Sequence, residues 1–124
     1  MLYSFRHYGH VLLDDHLHLL ISPSHGVQIP RIVGSFKQAA LVRLRHLPQS
    51  TAGRVWQRRY DHIIRDDADF ARHLDYLHYN PVKHGLVGHA KDWEWSSLTV
   101  WQARGVYPPD WGSVEPTSIR NMTE

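Results

Sequence analysis

His16 and His18 stand one leucine apart inside residues 11–21, VLLDDHLHLLI, a run of apolar residues that suits a β-strand. Side chains on a strand alternate between faces, so both imidazoles point one way and Leu17, Leu19 and Ile21 point the other. The expectation is a sheet with aliphatics fixing one face in a core and two imidazoles side by side on the opposite face. Paired imidazoles can supply half of a divalent-metal site. The other half must come from elsewhere in the chain.

A later helix is the candidate. Asp66 or Asp67 can cap it, and acids in its first turn suit the helix dipole. It is expected to run to about Tyr79, before Asn80-Pro81 disturbs it. Phe70, Leu74 and Leu77, at spacings of four and three, form its core stripe. Tyr76 and Asn80 are four apart and share a face well away from that stripe. A tyrosine off the stripe is available for chemistry; Tyr79 is off it too, and helical geometry does not choose between them. His16, His18 and Asn80 together offer two nitrogens and an amide oxygen. Imidazole suits Mn, Zn, Ni or Co, and the amide oxygen suits harder ions such as Mg or Mn. A site with so few protein ligands keeps positions open for water or a substrate oxygen. A cation that polarises a phosphoryl oxygen, with a tyrosine beside it as nucleophile, would give a phosphotyrosine bond to DNA.

The elements that must position these groups follow from the pattern along the chain. Asp14-Asp15 is a turn signal, which suggests a hairpin with one strand near residues 7–13 and a second near 16–22; the alternative is one long strand with a bulge. Apolar residues at 29, 32, 33, 36, 40, 44 and 47 have a helical period, with Pro30 in the first turn and Pro48 at the end. That helix shows Arg31, Lys37, Gln38, Arg43 and Arg45 on its other side. Residues 55–65, VWQRRYDHIIR, alternate well enough for a strand. Trp93, Trp95, Trp101, Tyr107 and Trp111, interspersed with Gly and Pro, suggest an irregular arm over residues 93–112 pinned by aromatics. Residues 113–124 are polar and are expected to be a disordered tail.

With 124 residues, 42% of them hydrophobic and 21% charged, the chain suits one domain with a modest core. It contains no cysteine, which excludes disulfides and thiolate metal sites and fits a reducing, cytoplasmic setting. No stretch is long and apolar enough to cross a membrane. The formal charge is only +2, but Arg54, Arg58, Arg59 and Arg65 crowd one segment, a local basic surface able to hold a phosphate backbone.

Taken together, His16-Leu17-His18 within DDHLHLLI, the stretch DYLHYNPVKHGLV at residues 75–87, VWQRRYDHIIRD and DWEWSSLTVWQARGVYPPDWG resemble the single-tyrosine HUH transposases. The likeness is closest to the REP-associated tyrosine transposases and covers roughly residues 7–112. A His–hydrophobic–His alone is a weak motif. Combined with YxxxNP at this distance and the Trp/Ser-Ser tail, it is strong. The resemblance implies an α+β, ferredoxin-like fold: an antiparallel sheet with helices on one face, the sheet displaying the histidines and a helix carrying the tyrosine over it. It implies Tyr76, not Tyr79, as nucleophile, and His16, His18 and Asn80 as ligands of Mg2+ or Mn2+. It also implies cleavage and rejoining of single-stranded or hairpin DNA of the repetitive extragenic palindrome type, through a 5′-phosphotyrosine intermediate and a free 3′-OH. Lys37, Arg58, Arg59 and Lys83 are candidates for DNA-backbone contacts by charge.

Two departures from the family pattern bear on activity. Only 15 residues precede His16, too few for the strand and helix that the family places before the hairpin. The expectation is therefore a sheet lacking that first strand and helix, with an exposed edge. Asp14 also stands where the family usually has proline. Three readings follow: a metal-dependent DNA-nicking transposase, a DNA-binding relic or regulator of the same fold, and an RRM-like RNA-binding domain. The third lacks the stacking-aromatic strand motif.

Overall fold

In the computed structural model, residues 5–24, 26, 28–44 and 62–122 are described. The chain divides into two compact units, one of residues 1–6 and 21–63, the other of residues 7–20 and 64–124. The class is α+β. Among the described residues the sheet has two strands, β1 (Phe5–Leu12) and β2 (Leu17–Pro23), paired antiparallel as the hairpin expected from Asp14-Asp15. Leu13 N–H donates to the His16 carbonyl at 2.8 Å and closes a two-residue loop. Among the described residues, Asp14 and Asp15 included, none but glycine has positive φ, so the loop is not the mirror-image turn that an Asn-Gly or Asp-Gly hairpin would use.

The faces of β2 differ from expectation. Leu20, in phase with His16 and His18, is 8% exposed, whereas Leu19 on the opposite face is 41% exposed. The aliphatics of the other face therefore do not form the core. Core and histidines share one face of the hairpin, and Val11, Leu13, Leu20, Leu74 and Leu77 form a single buried cluster there. The strand pattern alone could not fix this, because Leu20 extends the histidine face while Leu17, Leu19 and Ile21 line the other.

What covers that face is α2 (Asp67–Lys83). Asp66 caps it: its carboxylate accepts from Asp69 N–H at 2.8 Å, and Asp67 and Asp69 lie in the first turn. Its stripe is as read from spacing, with Leu74 and Leu77 buried and Phe70 packed against the same cluster. Fully burying each leucine stabilises by roughly 1.5–3 kcal/mol. Gly9 of β1 permits the close approach, since a Cβ there would lie 3.0 Å from Leu74 Cδ1 and 3.2 Å from Ser97 Oγ. The helix does not stop at Tyr79. It continues through Asn80 and Pro81, which is fully buried, to Lys83. Pro81 forfeits one backbone bond. The turn beyond is closed by His84 N–H to the Asn80 carbonyl at 3.0 Å and Leu86 N–H to the Pro81 carbonyl at 2.9 Å.

The aromatic arm is more regular than its Gly and Pro content suggests. Residues 95–97 run along the free edge of β1, with Leu12 N–H to the Trp95 carbonyl at 2.8 Å and Ser97 N–H to the His10 carbonyl at 3.0 Å. A short helix, α3 (Leu98–Ala103), follows. We number it after α1 (Ile29–Leu44), which matches the predicted amphipathic helix as far as residue 44, its expected end at Pro48 lying outside the described residues; α1 carries the buried Ile32 and lies in the other unit. Trp93 and Trp101 donate their indole N–H groups to the Leu12 and Tyr8 carbonyls, both at 2.8 Å. The tail expected to be disordered from residue 113 is packed as far as Met122, because Ile119, at 0% exposure in a 3-10 turn (Thr117–Ile119), seats against Tyr76 and Tyr79. Of the strand expected over residues 55–65, residues 62–65 have no regular structure, and 55–61 lie outside the described residues.

Candidate active site

The turn end of the hairpin and the C-terminal half of α2 meet on the core face of the sheet, within one compact unit. There the rings of His16 and His18 stand edge to face with centroids 4.9 Å apart. The Tyr76 ring meets the His18 ring edge to face at 5.9 Å. One turn further along α2, the Asn80 amide lies 3.4 Å from His18 Nε2. The structure thus brings together His16, His18, Tyr76 and Asn80. Tyr76 is not a bystander off the core: it is 6% exposed, and Asn80 is fully buried. The face they share has a packing surface of its own in Tyr79, Ile119, Val82, Trp111 and Met122.

Asp15 orients the first imidazole. His16 Nδ1–H donates to its carboxylate at 2.5 Å, and this hydrogen bond holds the Asp15 carboxyl below the ordinary carboxylate range. With Nδ1 so engaged, Nε2 is the nitrogen that His16 would present to a cation. The donor set passes the chemical test for a divalent cation. It has two imidazole nitrogens and one amide whose oxygen and nitrogen exchange places by a flip of the side chain. In the present arrangement the Asn80 nitrogen faces His18 Nε2. The flip would turn the oxygen to the same place.

Two further groups at the site come from the end of α2. Lys83 Nζ lies 5.4 Å from the centroid of the Tyr76 ring and donates to the Met122 carbonyl at 3.3 Å. A cation over that ring favours developing negative charge on the phenol. His84, the C-cap of α2, has its ring 5.2 Å from that of His16. Sequence reasoning missed His84; its signal was its place eight residues after Tyr76, two further turns along the face that carries Asn80. Tyr79 packs edge to face on Trp111 at 6.3 Å, away from the histidines, and burial first and Glu115 second raise its pKa. Of the four basic residues singled out by charge, Lys83 is at the site and Lys37 is half-buried on α1 in the other unit. Arg58 and Arg59 lie outside the described residues.

A family described as IS200-like transposases matches residues 4–80. The chain is 37% identical over 128 residues to a Haemophilus influenzae protein provisionally named a REP-associated tyrosine transposase, a match covering 95% of this chain and 73% of that protein. It is 47% identical over 58 residues to the REP-associated tyrosine transposase of Escherichia coli K12, covering 46% of this chain and 35% of that one. Among solved structures it is similar to a REP-associated tyrosine transposase bound to a REP hairpin. That match has a TM-score of 0.77 and 28% identity over 98% of this chain and 73% of that one.

Proposed function

The chain belongs to the IS200-like transposases, among the REP-associated tyrosine transposases, and we propose that it nicks and rejoins single-stranded or hairpin DNA through a covalent 5′-phosphotyrosine on Tyr76. The observation that carries this reading is the meeting of the Tyr76 ring with His18 at 5.9 Å, beside His16 and Asn80. The phenol oxygen attacks the phosphorus and loses its proton. The bond to the 3′-oxygen breaks, and that oxygen takes up a proton and leaves as a free 3′-OH. Reversal of the same chemistry rejoins a strand. Lys83, over the ring, favours the phenolate. His16, His18 and Asn80 would hold a Mg2+ or Mn2+ ion, with Asp15 fixing the His16 ring. When bound there, the cation would polarise a non-bridging phosphoryl oxygen and make phosphorus a better electrophile. Lys37, Arg58 and Arg59 are proposed as backbone contacts on charge alone.

The test is a denaturing gel of the protein with a hairpin-flanked oligonucleotide and Mn2+ or Mg2+. A slow-migrating protein–DNA species is expected, absent with a chelator and mapped by mass spectrometry to Tyr76. His16→Ala should abolish cleavage and leave hairpin affinity largely intact; unchanged cleavage would refute the metal assignment. Binding with no adduct would support a DNA-binding relic or regulator, and a preference for RNA would favour the RRM-like reading. Asp15→Asn weakens the orienting hydrogen bond, so Mn2+ affinity measured by calorimetry should fall by roughly 10–100-fold. Equal affinities would show that the carboxylate does not tune the site.

A further inference from the structure

A buried polar chain on the far side of α2 has no part in the chemistry above. His78 lies two residues beyond Tyr76, about 200° round the helix, and is 0% exposed. Both ring nitrogens are engaged: Nε2 is 2.7 Å from Ser97 Oγ and Nδ1 is 3.2 Å from the Tyr107 hydroxyl. Tyr107 in turn donates to Asp75 Oδ1 at 2.9 Å, and Ser118 donates to Asp75 Oδ2 at 2.8 Å. At the other end, Ser97 Oγ accepts from His10 N–H of β1 at 3.0 Å.

The donors can be ordered along this chain. A carboxylate only accepts, so the Tyr107 proton goes to Asp75. The Tyr107 oxygen then accepts from His78 Nδ1–H. That leaves Nε2 as an acceptor, and Ser97 O–H supplies its proton. One neutral tautomer of His78 satisfies both links of its own ring, and Ser97 then gives its one proton to His78 at 2.7 Å rather than to the His10 carbonyl at 3.3 Å. An apolar residue would fill the same volume but would not fix a direction.

We propose that His78 is a positioning residue for the reaction at Tyr76, pinning α2 to β1 through Ser97 and to the aromatic arm through Tyr107 so that the tyrosine meets His18. The proposal rests on the reading of Tyr76 as the nucleophile. The lever is short. Side chains reach about 5 Å from a helix axis, so a roll of about 10° moves the phenol by about 1 Å. A misplacement of that size can cost about a hundredfold in rate. The reference frame is also the right one, because Ser97 grips His10 on the strand that pairs with the one carrying His18.

The test compares His78→Phe, His78→Gln and Ser97→Ala with the wild type in two ways. One measurement is the nuclear Overhauser contact between the rings of His18 and Tyr76, which needs no activity. The other is hairpin cleavage, with kcat separated from KM. His78→Phe and Ser97→Ala are expected to weaken the ring contact and lower kcat by about 10- to 100-fold at unchanged KM. His78→Gln, which keeps a donor and an acceptor, should recover a large part of both. A folded His78→Phe or Ser97→Ala protein with the wild-type ring contact would overturn the proposal. If His78→Phe does not fold, Ser97→Ala against His78→Gln decides. A wild type that never forms the adduct would refute the Tyr76 reading alone, since the ring contact in the variants still decides the positioning role.

Discussion

Tyr76→Phe is expected to abolish the covalent adduct and to lower strand cleavage by at least about 10³-fold, the scale of loss when a covalent nucleophile is removed. The change deletes one oxygen and keeps the ring. The apolar contacts of that ring with Tyr79 and Ile119 survive, as does its edge-to-face contact with His18. Folding and hairpin affinity should therefore stay close to wild type, which separates a chemical loss from a structural one. Tyr79→Phe is the matched control. Tyr79 sits against Trp111, and burial raises its pKa, which makes its phenolate harder to reach. It should form the adduct at near the wild-type rate. An adduct persisting in Tyr76→Phe, measured by gel and mapped by mass spectrometry, would move the nucleophile elsewhere; loss in Tyr79→Phe alone would move it to Tyr79.

The two tyrosines show how far the sequence could be read. Spacing placed both off the Leu74–Leu77 stripe and could not separate them, because helical angles locate a side chain on its own helix and not against its neighbours. The neighbour that separates them is the histidine hairpin, 58 residues earlier for His18 and Tyr76 (76 − 18). The hairpin itself was legible, since Asp14-Asp15 between two apolar runs is a local signal. Which of its faces is buried was not. Leu19 and Leu20 are the same residue type, and only the packing of Leu74 and Leu77 onto Gly9, Val11 and Leu20 distinguishes them. Pro81 misled for a related reason. Its intrinsic cost as a helix breaker is local, but full burial of its ring and closure of the next turn beyond it offset that cost. The polar tail misled because its few anchors, Ile119 in the core and Ser118 on Asp75, meet partners distant in sequence. His84 and His78 went unread because each gains its meaning from a partner distant in sequence, His16 for one and Ser97 with Tyr107 for the other.

Between pH 6.5 and about 3 the fold is expected to lose stability through His78. Burial, and then the neighbouring His10, push its pKa from the ordinary 6.5 down to about 3. In that window the unfolded chain carries a proton on this ring and the folded chain does not. The unfolded state binds more protons, so stability is fully present above 6.5 and declines as pH falls, by about 1.4 kcal/mol per unit. Carried through to about pH 3, the loss is of order 5 kcal/mol, which is the whole stability of a marginal domain. Groups facing the ring do not relieve this. Tyr107 holds its proton more tightly than usual, because it is buried and donates to Asp75, so it cannot supply a compensating negative charge. His10 is itself lowered, by burial first and His7 second, and adds to the acid loss with the same sign. Urea unfolding of wild type and His78→Gln at several values between pH 7 and 4 isolates the effect, because carboxylates and His10 are common to both proteins. The wild type should be the more stable at pH 7, and its advantage should shrink by about 1.4 kcal/mol for each unit below about pH 6. Parallel stability curves would mean that His78 takes up its proton in the folded protein near its ordinary pKa, and that the Ser97–His78–Tyr107 chain is open to water.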